Sequence, residues 1–121
     1  MTEITSPRVY QQDEVTVIEL GEEYENLDEA VLTDLRNLIL KAVDEADPPL
    51  VVLDLSHTKF FGSSFIELIF RAWTRLQARD GGKFVLSGLM PYCKEVIEIT
   101  HLDQLWTLYD SVDEAIVGIQ S

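Results

Sequence analysis

Several features that are common in proteins are absent or scarce in this sequence. The single cysteine, Cys93, cannot form an internal disulfide and has no partners at metal-ligand spacing. No apolar run reaches the roughly 20 residues that span a bilayer, and the polar N-terminus lacks the pattern of a signal peptide. We therefore expect a cytoplasmic protein without a disulfide, a metal or a membrane segment.

Basic side chains are also scarce. Nine lysines and arginines stand against 22 aspartates and glutamates, and the formal net charge is −13. Nucleic acid and anionic membranes are therefore unsuitable partners for the chain as a whole. Residues 55–94 are the exception, with six basic and two acidic side chains. The acidic ends can serve recognition, or they can serve solubility alone.

The sequence does contain enough apolar material for one domain. With 121 residues and 46% hydrophobic side chains, it can bury a core without cross-links. We therefore expect a single domain over residues 1–121, with its core at about 8–120. Hydrophobic periodicity predicts strands at 8–12, 15–20, 50–55, 83–87 and 105–109, and helices at 27–46, 64–79, 91–100 and 112–119.

The order of these elements, ββαβαβαβα, predicts an α/β fold: a mixed β-sheet with helices packed against it. The strand at 50–55 is apolar until Asp54 and should lie at the centre of the sheet, covered on both faces. Asn26 and Ser111 each precede a glutamate by three residues, which is the spacing of a helix cap. We expect each of them to begin a helix.

The segment that follows the central strand carries the most specific pattern. The strand ends with Asp54, Leu55 and Ser56, and a short loop leads to Ser63 and Ser64 at the start of a helix. These residues resemble the signature of the STAS domain, as found in bacterial anti-sigma factor antagonists. That signature reads roughly Asp-Leu-Ser, a few mostly apolar residues, then Asp-Ser-Ser-Gly.

The chain departs from this signature at two positions. Gly62 stands where the family usually has aspartate, and Phe65 stands where it usually has glycine. Glycine cannot orient a neighbouring hydroxyl or contact a kinase, but it permits an unusual backbone angle and close approach of another chain. The resemblance extends in pattern over residues 8–120 and implies the STAS fold for the whole chain.

The resemblance implies that Ser63 is the phosphorylated serine of the family. A helix start carries unpaired N–H groups and a partial positive charge, so a serine there can accept a stabilised phosphate or simply cap the helix. Ser64 has Glu67 at capping-box spacing, and we expect it mainly to cap, with a secondary role as an acceptor. Both serines can also be purely structural.

Three further residues belong to this loop. Thr58 is either a secondary phosphate acceptor or a loop hydroxyl that satisfies backbone groups. Asp54 ends the central strand at the edge where α/β sheets bind ligands, or it hydrogen-bonds the loop and so positions the serines. We favour the second role for Asp54, and we assign Gly62 to the same positioning loop.

A helical wheel places the basic side chains of the second helix on its polar face. Arg71, Arg75 and Arg79 follow at intervals of four residues, and Leu68 falls beside Arg75. Because the STAS family uses this region to bind partners, we expect Leu68, Arg71 and Arg75 to bind a protein. The alternative is an ordinary solvated face with one exposed leucine.

Together these features predict a regulatory interaction domain without enzymatic activity or a cofactor. The resemblance implies a partner that is an anti-sigma factor or serine kinase of the histidine-kinase-like ATPase type, with a PP2C-type phosphatase as a further partner. Phosphate on Ser63 would change partner choice through its charge. The alternatives are a STAS module that is not phosphorylated and binds a nucleotide or other small ligand, and a constitutive scaffold.

Overall fold

The structure is a computed structural model that describes residues 7–120, except for the side chain of Glu23. Seven strands are present in this range: β1 (Arg8–Gln12), β2 (Val15–Glu19), β3 (Asn26–Leu27), β4 (Leu50–Asp54), β5 (Phe60–Phe61), β6 (Lys83–Ser87) and β7 (Leu108–Tyr109). Four α-helices accompany them: α1 (Glu29–Glu45), α2 (Ser63–Gln77), α3 (Pro91–Ile99) and α4 (Val112–Ile119). Short 3-10 helices lie at Glu22–Tyr24 and Leu102–Gln104.

The main sheet has five strands in the order β1-β2-β4-β6-β7. β1 and β2 form an antiparallel hairpin, whose turn at Asp13 and Glu14 uses positive φ angles. The remaining neighbours are parallel. The mixed sheet and the central position of β4 are as predicted. The two-residue strands β3 and β5, which pair with each other in a separate small sheet, were not predicted.

The helices form a layer on each face of the sheet. Side chains from α1, α2 and α3 share one large core with Val51 and Leu53 of β4. The other face packs Val52 of the same strand against α4. Successive residues of a strand point to opposite faces, so an uninterrupted apolar strand fits a position that is covered on both sides.

The structure corrects several predicted boundaries. Helix α1 begins after Asp28, whose carboxylate accepts a hydrogen bond of 3.1 Å from the Val31 amide, and Asn26 lies in β3 instead. Ser111 does cap α4, since its hydroxyl accepts from the Glu114 amide. Helix α2 ends at Gln77 rather than 79.

The final strand is also shorter than predicted. It covers only Leu108–Tyr109, because the preceding residues form a 3-10 turn and then bury Trp106 in the core. Trp106 packs edge-on against Phe70 and Phe84. Its bulk fills the space between α2 and the sheet, and this burial outweighs the strand propensity of the segment.

Candidate functional site

The candidate site is the loop that joins β4 to α2, and Asp54 lies at its base. The Asp54 side chain is buried, and its Oδ1 accepts a hydrogen bond of 3.0 Å from the Ser56 amide. Burial raises the pKa of Asp54, while the hydrogen bonds from Ser56 oppose that rise. The hydrogen bond from the loop to Asp54 that the sequence suggested is therefore present, and it fixes Ser56, the second residue after the strand.

Thr58 lies in the middle of the loop and is fully buried. Its hydroxyl donates a hydrogen bond of 3.1 Å to the carbonyl of Tyr24, and its amide donates to the carbonyl of Leu55. The prediction that Thr58 is a secondary phosphate acceptor is therefore wrong, because a kinase cannot reach a buried hydroxyl. Thr58 instead satisfies the backbone, which was the alternative.

The loop is also tied to the segment that precedes α1. The amides of Lys59 and Phe60 both donate to the carbonyl of Glu25, and β5 continues this contact by pairing with β3. As a result, α1 and α2 begin next to each other. Sequence analysis missed this arrangement, since two-residue strands carry almost no periodic signal.

Gly62 is the N-cap residue of α2, at φ −116° and ψ −165°. These angles are ordinary extended backbone, so the position does not use the conformational freedom of glycine. A Cβ atom built here would meet nothing within 4 Å. The unusual backbone angle that glycine permits is therefore not used here, and the position has room for a side chain.

The two serines occupy the first two positions of α2, but their surroundings differ. Ser63 is exposed, whereas Ser64 is partly buried and its hydroxyl donates a hydrogen bond to the carboxylate of Glu29 on α1. The predicted capping box of Ser64 and Glu67 is wrong. A cap must precede the first helical residue, and that place belongs to Gly62, which has no side chain to accept a hydrogen bond from the first turn.

Leu68 is the clearest error among the predicted site residues. Its side chain is only 2% exposed and belongs to the main hydrophobic core. Helix α1 packs along this side of α2, which a helical wheel of α2 alone cannot show. Leu68 is therefore a core residue and cannot contact a partner in the folded protein.

Arg71 and Arg75 lie on the surface of α2 and Arg79 lies just after its last residue, and α1 contacts two of the three. Arg75 forms an ion pair of 2.6 Å with Asp44, and Arg79 donates to the carbonyl of Val43 at 2.9 Å. Arg71 is exposed. Arg75 and Arg79 therefore both contact α1, whereas the side chain of Arg71 is exposed.

A shallow groove of about 510 Å³ runs along the exposed face of α2. Its main apolar element is Phe70, which is 38% exposed and packs edge-on against Trp73 and Trp106. Sequence analysis missed Phe70 as a surface residue; its helical spacing from Ser63 and Glu67 would have placed it there. The groove is lined by Glu67, Phe70, Arg71, Thr74 and Arg75.

Within residues 7–120, no group of three or more His, Cys, Asp or Glu side chains is arranged to hold a metal ion. Cys93 is buried, and burial raises the pKa of its thiol to about 11. Over the same range, no helix is long and apolar enough to cross a membrane.

The chain is similar in sequence and in fold to known proteins. The family model described as STAS domain matches residues 6–115. An anti-sigma-factor antagonist (STAS) domain protein from Planctomyces limnophilus is 38% identical, with a TM-score of 0.89 over 94% of this chain and 97% of that one. An anti-sigma factor antagonist from Mycobacterium paratuberculosis is 25% identical, with a TM-score of 0.81 over 94% of this chain and 92% of that one.

A third structure is similar in fold alone. The Bacillus cell fate determinant SpoIIAA, in its phosphorylated form, is 21% identical, with a TM-score of 0.66 over 93% of this chain and 97% of that one. No curated protein matches the chain.

Proposed function

The chain belongs to the STAS domain family, and from that premise we propose that it is an anti-sigma factor antagonist whose partner binding is switched by phosphorylation of Ser63. The observation that carries this proposal is the exposed Ser63 hydroxyl at the first residue of α2. Of the three hydroxyl side chains considered as acceptors, Ser63 alone is exposed, since Thr58 is buried and Ser64 is partly buried against α1.

The position of Ser63 suits a phosphate. The first turn of a helix presents unpaired N–H groups and a partial positive charge, and both stabilise an anion. A phosphate adds about −1.5 to −2 charges at pH 7. Asp54 also stabilises this position, because its carboxylate accepts a hydrogen bond from the loop that leads from β4 into α2.

Ser63 and the groove lie on one face of α2. Residues spaced three and four apart share a helix face, so Ser63, Glu67, Phe70 and Thr74 form a continuous row. We propose that a partner protein contacts this row, with Phe70 as its apolar anchor and Arg71 as its charged contact. A phosphate at the end of the row would then impose desolvation and charge repulsion on the same partner.

Partners of two kinds fit this switch. The first is an anti-sigma factor or serine kinase of the histidine-kinase-like ATPase type, which would both bind the face and modify Ser63. The second is a PP2C-type phosphatase that would reverse the modification. A structural neighbour, the anti-sigma factor antagonist SpoIIAA, exists in unphosphorylated and phosphorylated forms, which supports a switch of this type. The proposed role is binding, and it assigns no catalytic residue to the chain.

The test incubates the full chain and Mg-ATP with a histidine-kinase-like ATPase from the same organism. Mass spectrometry should locate phosphate on Ser63, and Ser63→Ala should abolish it while the melting temperature stays nearly unchanged. Absence of phosphate from the wild-type protein would refute the switch. The chain would then be a constitutive scaffold or a small-ligand module, and titration with nucleotides separates those two.

The binding face is tested separately. Arg71→Ala should weaken binding of the unphosphorylated protein to the same ATPase by roughly tenfold, since truncating a charged interface side chain costs about 1–2 kcal/mol. Arg36→Ala, which removes an exposed arginine from α1, is the matched control and should bind normally. Equal affinities for the two variants would place the interface elsewhere.

A further inference from the structure

The hydrogen bond between Ser64 and Glu29 joins the starts of two helices that are 35 residues apart in sequence. Glu29 is the first residue of α1, and Ser64 is the second residue of α2. The pairing of β3 with β5 brings the two helix starts together. Glu29 therefore places a carboxylate at the first turn of α2, a group that Gly62 at the start of this helix lacks.

This contact affects the two serines differently. The Ser64 hydroxyl donates its proton to Glu29, whereas Ser63 is an exposed residue. Phosphorylation of Ser64 would replace that donor with a dianion that can only accept, directly beside a carboxylate. Like charges at this separation repel, so the modification would turn an attractive contact into a repulsive one.

We propose that Glu29 selects between the two serines: it binds the Ser64 hydroxyl, disfavours a phosphate there, and so reserves phosphorylation for Ser63. This makes Glu29 a positioning and specificity-determining residue. That these serines are phosphorylated at all rests on the proposed function, whereas the hydrogen bond between Ser64 and Glu29 does not. In the transfer, the serine oxygen bonds to the γ-phosphorus of ATP, the bond from that phosphorus to the bridging oxygen breaks, ADP leaves, and the hydroxyl proton is released.

A carboxylate beside a hydroxyl can also have the opposite effect, because it can act as a base and assist loss of the proton. The two effects differ in their consequence for the product. If Glu29 acted as a base, it would promote phosphorylation of Ser64, and removal of its carboxylate would lower that phosphorylation. Under the proposed repulsion, removal of the Glu29 charge instead raises phosphorylation of Ser64.

The first test needs no kinase. Phosphoserine is introduced genetically at position 63 or 64 of the full chain, and the phosphate is titrated by 31P NMR. The phosphate at 64 should show a second pKa raised by roughly 0.7 unit, the shift produced by a unit charge about 4 Å away in water. Glu29→Gln keeps an acceptor oxygen but removes the charge, and it should abolish most of that rise.

The matched control is Glu45→Gln, the same substitution at the exposed last residue of α1. It should leave both phosphate titrations unchanged, and Glu29→Gln should leave the phosphate at 63 nearly unchanged. If the titration at 64 is the same with and without the Glu29 charge, the inference is wrong. A merely structural role of Glu29 would not move these pKa values.

The second test uses the kinase-type ATPase and Mg-ATP. Wild-type protein and Glu45→Gln should carry phosphate on Ser63 with little on Ser64, whereas Glu29→Gln should raise the share on Ser64 several-fold. An unchanged or lower share on Ser64 would overturn the inference while leaving the switch at Ser63 intact. If wild type and variants all lack phosphate, the proposed function fails, and the NMR titration still decides whether Glu29 disfavours a phosphate at 64.

Discussion

Replacement of Leu68 by alanine tests the largest disagreement between the sequence pattern and the structure. A wheel of α2 placed Leu68 on the surface, where its truncation would leave stability nearly unchanged. In the structure the side chain is 2% exposed. It lies in the buried stripe of α2 that also contains Phe65, Ala72 and Leu76, and α1 packs over this part of the helix.

The expected cost follows from this burial. Leu68→Ala removes three buried carbon groups, each worth about 0.8 kcal/mol of transfer free energy, for roughly 2.4 kcal/mol. The neighbouring side chains on α2 and α1 cannot fully close the gap, so the cavity brings the loss to about 3–4 kcal/mol. For a domain of this size each kcal/mol lowers the melting temperature by roughly 3–5 °C, which predicts a fall of about 9–20 °C.

The assay is urea and thermal unfolding followed by circular dichroism. Leu105→Ala is the matched control, because Leu105 is 41% exposed and the same atoms are removed; it should cost less than about 1 kcal/mol. A loss of less than 1 kcal/mol for Leu68→Ala, equal to the control, would show that Leu68 is not in the core. The packing of α1 over α2 would then be wrong.

Four further predictions follow from local contacts. Asp28→Ala should reduce the free energy of unfolding by about 1 kcal/mol through loss of the α1 cap. The Ser64 side chain does not cap a helix, so Ser64→Ala should cost only about 0.5 kcal/mol in the same urea assay. Gly62→Asp should be tolerated and stabilise α2 by a few tenths of a kcal/mol, roughly the preference for Asp over Gly at an N-cap; a clear destabilisation would contradict the open space found there. Burial raises the pKa of Asp54 in the folded state, so the folded state binds the proton more tightly than the unfolded state does. The contribution of Asp54 to stability therefore increases as the pH falls from this raised pKa toward the ordinary value of about 3.9. Asp54→Asn should remove that part of the pH dependence from the unfolding curves. The Cys93 thiol, buried and with its pKa raised to about 11, should react with a thiol reagent at pH 8 only after unfolding, and rapid labelling of the folded protein would refute its burial.

Much of the fold could be predicted because its signals are local. The apolar strand Leu50–Asp54 needs cover on both faces, and only a central position supplies it. The Ser111 cap of α4 depends on residues within one turn, and the structure contains it. The serine pair at the start of α2 could likewise be located from the sequence, because the loop and the helix pattern are contiguous.

Other features were decided only by the packing of distant segments. Leu68 is buried because α1 lies against α2, and Ser64 is bonded because Glu29 begins α1 beside it. Arg75 is likewise drawn into an ion pair with Asp44 of α1. The sequence by itself determined the longer strands and helices, their order and the position of the serine pair, since these depend on periodicity and short-range spacing. Only the tertiary structure decided which polar-face residues remain available to a partner, because burial and interhelical hydrogen bonds depend on contacts between side chains 31 to 35 positions apart.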